Sequence, residues 1–372
     1  MKLVRRVQRV QRVHVAGLLC ALAGLGAAVA CGGSGDSATT TGDPVASSPS
    51  SSSSSSPSGP GGDASVGTND GGGREGGSTT DGSTHSIQTV FVILMENHSW
   101  STIKGNASAP YINKTLLASA AHAEQYTTPP GLHPSEPNYI WLEAGDNLGI
   151  TTDDDPKKNH RNTKDHFTSQ LEAAGISWKA YVEEISGNDC PLVSTGLYGT
   201  KHVPQLYFDD VTDTNSPSSQ HCKDHIRPYS ELATDLSAGK VARYNFITPN
   251  LCDDMHGQTF GTKCQALVAD LVKDGDTWLS TEVPKILASK AYKDGGALFI
   301  LWDEGDESLG QEASDGPLPA FVLSPFAKAG FTSNTAYTHS STLHTFETIF
   351  GVPYLRGAQT SNDLSDMFTS FP

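Results

Sequence analysis

In this 372-residue chain, two pairs of residues with side-chain oxygens directly follow apolar runs. Glu96 and Asn97 follow the run TVFVILM, and Asp303 and Glu304 follow the run ALFILW. Carboxylate and amide oxygens are the ligands that hard cations prefer, and carboxylates packed together without a cation have sharply raised pKa values. The two pairs therefore predict a site for one divalent cation, with Ca²⁺ favoured and Mg²⁺ or Mn²⁺ as alternatives.

A third apolar run, residues 242–247, leads into TPNLCDDMHG, which contains Asp254 and His256. In open α/β sheets, ligands gather beyond the carboxyl ends of parallel strands. If the three runs are parallel strands, their polar endings meet at one edge of the sheet. We therefore expect the two acidic pairs, Asp254 and His256 to line a single active site.

The segment GLHPSEPNY supplies a hydroxyl group for this site. Ser135 precedes Glu136, Pro137 and an apolar helical pattern, which predicts that Ser135 is the N-cap of a helix. At the positive end of a helix and beside a cation, its hydroxyl can ionise and attack phosphorus. His133, two residues earlier, can contact the same anion. Helix capping alone is the alternative role for Ser135.

Strand and helix patterns alternate along the second part of the chain. They predict an α/β fold, a three-layer α/β/α sandwich around a mainly parallel sheet. The predicted strands are residues 90–95, 178–182, 242–247, 297–302 and 320–323. The predicted helices are residues 138–144, 166–174, 226–236, 265–271, 278–289 and 342–350.

A long polar stretch, residues 186–223, interrupts this alternation and is expected to lie at the rim of the fold. Histidines in and near it are expected to be solvated: His160, His166, His202, His221 and His225. Sequence proximity favours disulfides between Cys190 and Cys222 and between Cys252 and Cys264. Other pairings and a structural zinc site are alternatives, although no CxxC spacing supports zinc.

The first part of the chain has a different composition. Residues 1–31 combine basic residues with a short run of small apolar residues, which predicts a secretory signal. Its last residues, AVAC, resemble a bacterial lipoprotein processing site that would leave Cys31 lipid-modified, and simple cleavage is the alternative. Residues 32–84 are almost entirely Gly, Ser, Thr, Pro and Asp, which predicts a disordered linker. Residues 85–372 are then the folded domain, secreted or anchored to the bacterial cell envelope.

The formal net charge is −16 at pH 7. The overall electrostatic field of so acidic a chain repels nucleic acid and anionic membranes, so neither is expected as a partner. An anionic substrate therefore needs positive charge within its site, which a bound cation would supply. Contact with a membrane is expected only through a lipid anchor at Cys31. The oligomeric state is left open.

The motifs MENHSW, HPSEPNY, TPNLCDDMH and LFILWDEGDE together resemble the phosphoesterase family, which spans bacterial and fungal secreted acid phosphatases and bacterial phospholipases C. The resemblance implies an alkaline-phosphatase-like core and hydrolysis of phosphate esters through a phosphorylated serine or threonine beside a metal. Glu96 and Asn97 match the first ligand pair. Ser135 matches the metal-bound nucleophile, and Asp303 with Glu304 matches the second acidic pair. Members commonly have two aspartates there, so Glu304 departs from the pattern.

The same resemblance places His133, Asp254, His256 and His339 in polar positions of the family's motifs. It implies two in-line displacements that begin with attack of Ser135 on a phosphate monoester. His133 or His256 would neutralise the phosphoryl oxygens. His256 or His339 would protonate the departing alcohol or activate water, which favours an acid pH optimum.

Chain length favours one substrate class, since phospholipases C of this family are typically longer and carry C-terminal domains. We expect an acid phosphatase that acts on small phosphate monoesters or on a phospholipid headgroup. A compact phospholipase C or another phosphodiesterase is the first alternative. A non-catalytic phosphate-binding surface protein is the second, and the hydroxyl of Ser135 argues against it because a binder needs no nucleophile.

Overall fold

The computed structural model of the chain describes residues 86–257, 260, 264, 270–306 and 315–371. The predicted signal at residues 1–31 with its Cys31, the predicted linker at residues 32–84 and residues 265–269 of the predicted helix 265–271 lie outside the described residues. Among the described helices, none has the length and apolar character that crossing a membrane requires.

A mainly parallel sheet of eight strands organises the domain. This sheet and a separate two-stranded sheet contain the ten described strands: β1 Thr89–Met95, β2 Ala121–Ala123, β3 Tyr126–Thr127, β4 Trp178–Val182, β5 Ile226–Pro228, β6 Tyr244–Thr248, β7 Gly296–Trp302, β8 Ala320–Leu323, β9 Thr332–Ser333 and β10 Tyr337–Thr338. Their order in the sheet is β5, β4, β6, β1, β7, β8, β2, β9, and β3 pairs separately with β10. Strand β8 runs antiparallel to both of its neighbours, β7 and β2.

The central strands are continuous apolar runs, as expected for a sheet that is covered on both faces. All residues of β7, and all of β1 except Thr89, are buried. The five predicted strands are confirmed as β1, β4, β6, β7 and β8, with bounds that differ by at most two residues. The predicted α/β class with a mainly parallel central sheet is therefore confirmed.

Helices alternate with these strands along the chain. They are α1 Trp100–Ile103, α2 Leu117–Ser119, α3 Ser135–Ala144, α4 Pro156–Asn159, α5 Phe167–Ala173, α6 Asp209–Thr212, α7 Gln220–His225, α8 Leu232–Ala238, α9 Leu271–Ala288, α10 Lys290–Lys293 and α11 His339–Phe350. The prediction of one helix over residues 226–236 is wrong, because β5 occupies its first residues. Pro228 disfavours a helical conformation of the residue before it, so the helix cannot begin until the chain has passed it.

The polar stretch 186–223 is not confined to the rim of the fold, where it was expected. Two of the histidines that were expected to be solvated are buried, since His166 is 0% and His202 is 1% exposed. The predicted disulfides are confirmed, Cys190 with Cys222 and Cys252 with Cys264. The first of them joins two parts of this stretch.

The buried carboxyl group of Glu347, on α11, should make the free energy of unfolding depend on pH. Its side chain is buried, and burial raises its pKa to about 8, although its Oε1 accepts a hydrogen bond from the Leu355 backbone at 2.8 Å. An acid with a raised folded-state pKa contributes stability that is complete below its unfolded pKa of about 4.3 and is lost as pH rises through the folded value.

The free energy of unfolding of the wild type should therefore fall between about pH 5 and about pH 8. We expect it to fall less over this range in Glu347→Gln. Urea denaturation of the wild type and the variant at several pH values measures the effect. The two proteins should be closest in stability at acidic pH, and parallel pH profiles would contradict the assignment.

Candidate active site

The carboxyl ends of three parallel strands meet at one edge of the sheet. Strand β1 pairs in parallel with β6 on one side and with β7 on the other. Glu96 and Asn97 follow β1, Asp303 and Glu304 follow β7, and the backbone N–H of Asn97 lies 3.3 Å from Asp303 Oδ1. The Glu96 backbone N–H donates to the carbonyl oxygen of Asp254, which follows β6, at 2.8 Å. The structure thus brings the acidic residues of all three strand ends together.

Asn97 turns the chain away from β1. Its φ of 46° lies in the left-handed region, which asparagine tolerates better than most residues. This turn follows the end of the strand at Met95 and leaves the Glu96 side chain buried at the edge of the sheet.

Ser135 lies against both acidic pairs. Its Oγ is 3.0 Å from Glu96 Oε2 and 3.3 Å from Glu304 Oε1, and the residue is 1% exposed. The prediction that Ser135 is an N-cap is wrong by one residue, because Pro134 is the cap and Ser135 is the first helical residue of α3. Asp153 instead accepts the hydrogen bond of a first-turn backbone N–H, that of residue 136, at 2.9 Å. The hydroxyl of Ser135 is therefore directed at the carboxylates.

Several buried polar atoms at this edge have no hydrogen-bond partner of acceptable geometry in the described part of the chain. They are Glu96 Oε1, Asn97 Oδ1, His202 Nε2, Asp254 Oδ2 and Asp303 Oδ2. Each unmade hydrogen bond of a buried polar atom costs about 1–3 kcal/mol. A cluster of oxygens with one imidazole nitrogen is the kind of donor set that holds a divalent cation. The residues present therefore fit a metal ion, and its identity is open.

The electrostatics of the site also favour a bound cation. The pKa values of Glu96, Asp254 and Asp303 are raised well above the usual carboxyl range, first by burial. Repulsion between neighbouring carboxylates adds to each shift. A cation reverses this effect, because its charge stabilises the ionised carboxylates.

His202 belongs to the site and was missed from the sequence. Its Nε2 lies 3.1 Å from Glu96 Oε1, its Nδ1 lies 3.1 Å from Asp254 Oδ2, and its ring stacks on that of Tyr139. Ligand atoms of Glu96, His202 and His256 lie within 4.8 Å of one another. No local sequence pattern identifies His202 as a site residue, because only the folding of the polar stretch brings it to the strand ends.

Lys201 places a positive charge beside the acidic cluster. The residue is 4% exposed, and its Nζ donates to Asp153 Oδ2 at 2.7 Å and contacts His256 Nε2 at 2.9 Å. The pKa of His256 is lowered to about 3, first by burial and then by the charge of Lys201. His256 is therefore neutral at mildly acidic and neutral pH, and its Nε2 accepts a hydrogen bond from Lys201.

His133 is the second cationic group. Its Nδ1 lies 2.6 Å from Glu304 Oε2 and its Nε2 lies 2.8 Å from Asp315 Oδ1. The hydrogen bond to Glu304 is the largest cause that raises its pKa to about 9. His133 is thus protonated across the acidic and neutral range.

His339 lies behind the second acidic pair. Its Nε2–H donates to the backbone carbonyl of Asp303 at 2.6 Å, and the hydroxyl of Tyr126 donates to its Nδ1 at 2.9 Å. The residue is fully buried, and burial lowers its pKa to about 4. With both ring nitrogens engaged, His339 is placed to hold the turn that carries Asp303.

Comparison with known proteins identifies the family of the chain. A model described as the Phosphoesterase family matches residues 111–353. A phosphatidylinositol-3-phosphatase of Mycobacterium tuberculosis is 28% identical over 279 residues, which cover 75% of this chain and 82% of that protein. A phosphate-repressible acid phosphatase of Penicillium chrysogenum is 26% identical over 230 residues, or 60% of this chain and 50% of that protein. The chain thus spans about half the length of this fungal relative.

The fold has solved counterparts as well. A protein of the alkaline phosphatase superfamily from Vibrio parahaemolyticus superposes with a TM-score of 0.50 at 10% identity, covering 76% of this chain and 72% of that one. This likeness concerns the fold alone. The family match extends over more than half of the chain. The chain therefore belongs to the phosphoesterase family, whose members are hydrolases that act on phosphate esters.

Proposed function

We propose that the protein is an exported, metal-dependent phosphatase that hydrolyses phosphate monoesters through a phosphoserine formed on Ser135. The observation that carries this proposal is the position of one hydroxyl between two acidic pairs, 3.0 Å from Glu96 Oε2 and 3.3 Å from Glu304 Oε1. A protein that only binds phosphate has no need of a hydroxyl at that position. The two disulfides support export, because such bonds persist in oxidising compartments. A lipid anchor at Cys31 remains part of the proposal.

The cation would be held by the buried atoms that lack hydrogen-bond partners: Glu96 Oε1, Asn97 Oδ1, His202 Nε2, Asp254 Oδ2 and Asp303 Oδ2. When bound, it supplies positive charge that favours the ionised hydroxyl of the nucleophile and offsets charge on phosphoryl oxygens. The oxygen ligands keep Ca²⁺, Mg²⁺ and Mn²⁺ as candidates. The imidazole in the set favours Mn²⁺ among them.

The chain's own residues supply the remaining chemistry. Glu96 accepts a hydrogen bond from Ser135 and can take its proton as Oγ attacks phosphorus. The ester P–O bond breaks, and protonated His133 can donate a proton to the departing alcohol. His133, neutral once it has given up this proton, can then accept a proton from the water that hydrolyses the phosphoserine. Lys201 offers a charge for the phosphoryl oxygens.

Phosphate monoesters are the proposed substrate class because both relatives described above are named as phosphatases. The mycobacterial relative is named for a lipid-borne monoester, so a phosphoinositide headgroup belongs in the substrate test. We expect hydrolysis of p-nitrophenyl phosphate and phosphatidylinositol 3-phosphate that stops in EDTA and returns with a divalent cation. Little product is expected from bis-p-nitrophenyl phosphate or phosphatidylcholine.

The same assay separates the alternatives. Faster turnover of bis-p-nitrophenyl phosphate than of the monoester would replace the proposal with a phosphodiesterase. Release of the phosphocholine headgroup would indicate a phospholipase C. Binding of phosphate without hydrolysis of any ester would indicate a non-catalytic binding protein.

His202→Ala tests a metal ligand that we propose in addition to those predicted from the sequence. We expect the variant to bind the cation at least about 10-fold more weakly, because a metal ligand or a group that orients ligands is lost. Isothermal titration calorimetry with Mn²⁺ on EDTA-treated protein measures the change. His160→Ala is the matched control, since His160 also pairs with a carboxylate, Asp209, at 2.6 Å. Equal affinities of the wild type and His202→Ala would remove His202 from the site.

A further inference from the structure

Three side chains suited to metal binding converge outside the candidate active site. Glu172 lies in α5, and His221 and His225 lie one turn apart on α7. Each offers a ligand atom, and these atoms lie within 4.8 Å of one another. His221 Nε2 is 2.7 Å and His225 Nε2 is 3.9 Å from the same oxygen, Glu172 Oε1. Ligand atoms around a tetrahedral zinc ion are about 3.3 Å apart, a value between these two distances.

Backbone carbonyls determine which nitrogen of each imidazole faces Glu172. The Nδ1–H of His221 donates to the carbonyl oxygen of Asp210 at 2.8 Å. The Nδ1–H of His225 donates to the carbonyl oxygen of His221 at 3.0 Å. Histidines that bind a metal usually anchor the ring nitrogen remote from the metal in this way, which fixes the ring and presents the other nitrogen. Both rings therefore present Nε2 toward the same carboxylate.

The supporting residues hold this geometry. Trp178 on β4 donates from its indole Nε1 to Glu172 Oε1 at 2.7 Å, and its ring stacks on that of His225 with centroids 4.4 Å apart. The helix that carries both histidines is tied to the rest of the domain by the disulfide between Cys222 and Cys190. The three side chains are thus positioned before any ion arrives, which lowers the entropic cost of binding.

A simple ion pair accounts for only part of the arrangement. Without a metal, protonated His221 pairs with Glu172, and that hydrogen bond is the largest cause that raises its pKa to about 9. The ion pair does not require His225 to face the same oxygen. A metal ion that replaces the shared proton would use all three groups.

We propose that Glu172, His221 and His225 form a second metal site, which takes Zn²⁺ in preference to Ca²⁺ and ties α5 to α7. Two imidazoles with one carboxylate suit zinc, whereas Ca²⁺ takes sets of six to eight oxygens. The site is distinct in residues and in ligand chemistry from the oxygen-rich active site. It goes beyond the proposed function and does not depend on it.

The test is the zinc content of the full-length chain. Wild type, His221→Gln/His225→Gln and His160→Gln proteins are equilibrated with Zn²⁺ in the presence of excess Ca²⁺, passed through a gel-filtration column and analysed for zinc by mass spectrometry. We expect the wild type and His160→Gln to retain one more zinc ion per chain than the double variant. Zinc that binds at the active site is common to all three proteins and cancels. Equal zinc contents would overturn the proposal.

A second variant guards against misfolding of the double variant. His225→Gln leaves the pair of His221 and Glu172 in place and should still lower the affinity for zinc at least tenfold. Co²⁺ provides a spectroscopic readout, since the wild type should show visible absorption typical of tetrahedral cobalt that His225→Gln loses. Hydrolysis of p-nitrophenyl phosphate should be the same in wild type and His225→Gln. Unchanged zinc affinity in His225→Gln would also overturn the proposal.

Discussion

Ser135→Ala is expected to lower kcat for p-nitrophenyl phosphate by at least about a thousandfold. The substitution removes the proposed nucleophile. The ester could then be hydrolysed only by direct attack of water, and we propose no side chain that activates water for that reaction. The fold should persist, because the hydroxyl contacts carboxylates at the site and does not cap α3. Circular dichroism and steady-state kinetics on the purified variant measure the two outcomes.

Ser324→Ala is the matched control for this experiment. Its hydroxyl donates to the carbonyl oxygen of Gly296, at the start of β7, whereas the candidate site lies at the end of that strand. This variant should keep the wild-type kcat. Acid-quenched wild-type reactions should also yield a peptide phosphorylated at Ser135. A kcat for Ser135→Ala within tenfold of wild type, or a phosphate found on another residue, would exclude the phosphoserine mechanism.

Asp303→Asn is expected to change stability in opposite directions with and without a cation. In EDTA the wild type must either bury the Asp303 charge among repelling carboxylates or take up a proton on folding, and the neutral amide of the variant avoids both costs. The free energy of unfolding of the variant should therefore rise by about 1–3 kcal/mol at neutral pH. The raised pKa of Asp303 means that this gain should shrink as pH falls and the wild-type carboxyl becomes protonated. With a cation present, the wild type gains about 2.7 kcal/mol at one hundred times the dissociation constant, and the variant loses most of that gain.

Differential scanning calorimetry in EDTA and in Mn²⁺ measures this reversal. Asp276→Asn is the control, because Asp276 is also buried but accepts hydrogen bonds from the backbone N–H groups of Tyr111 and Ile112, at 3.0 and 2.8 Å. It should be destabilised equally in both conditions. A wild-type Tm that is the same in EDTA and in Mn²⁺ would refute the cation site, and so would a destabilised Asp303→Asn in EDTA.

Much of the architecture follows from local pattern. The strands β1 and β7 are unbroken apolar runs, and such runs are stable only where both faces of a sheet are covered. Their parallel pairing then brings Glu96 and Asp303 to one edge, as the sequence predicts. The short strands β2, β5 and β9 escape prediction because two or three residues carry no periodicity.

The polar stretch 186–223 shows what the sequence could not supply. Its composition is that of a solvated loop, yet it contributes His202 and Lys201 to the buried center of the site. Their partners Glu96 and Asp153 are distant in sequence, so no spacing rule relates them.

The sequence by itself determined five strands of the sheet, the acidic strand ends and the hydroxyl at Ser135, because apolar periodicity and strand-end chemistry are local properties. The tertiary structure alone decided that His202 and Lys201 join those groups and that His339 lies behind Asp303. Those contacts depend on how distant segments pack, and packing is a property of the whole chain.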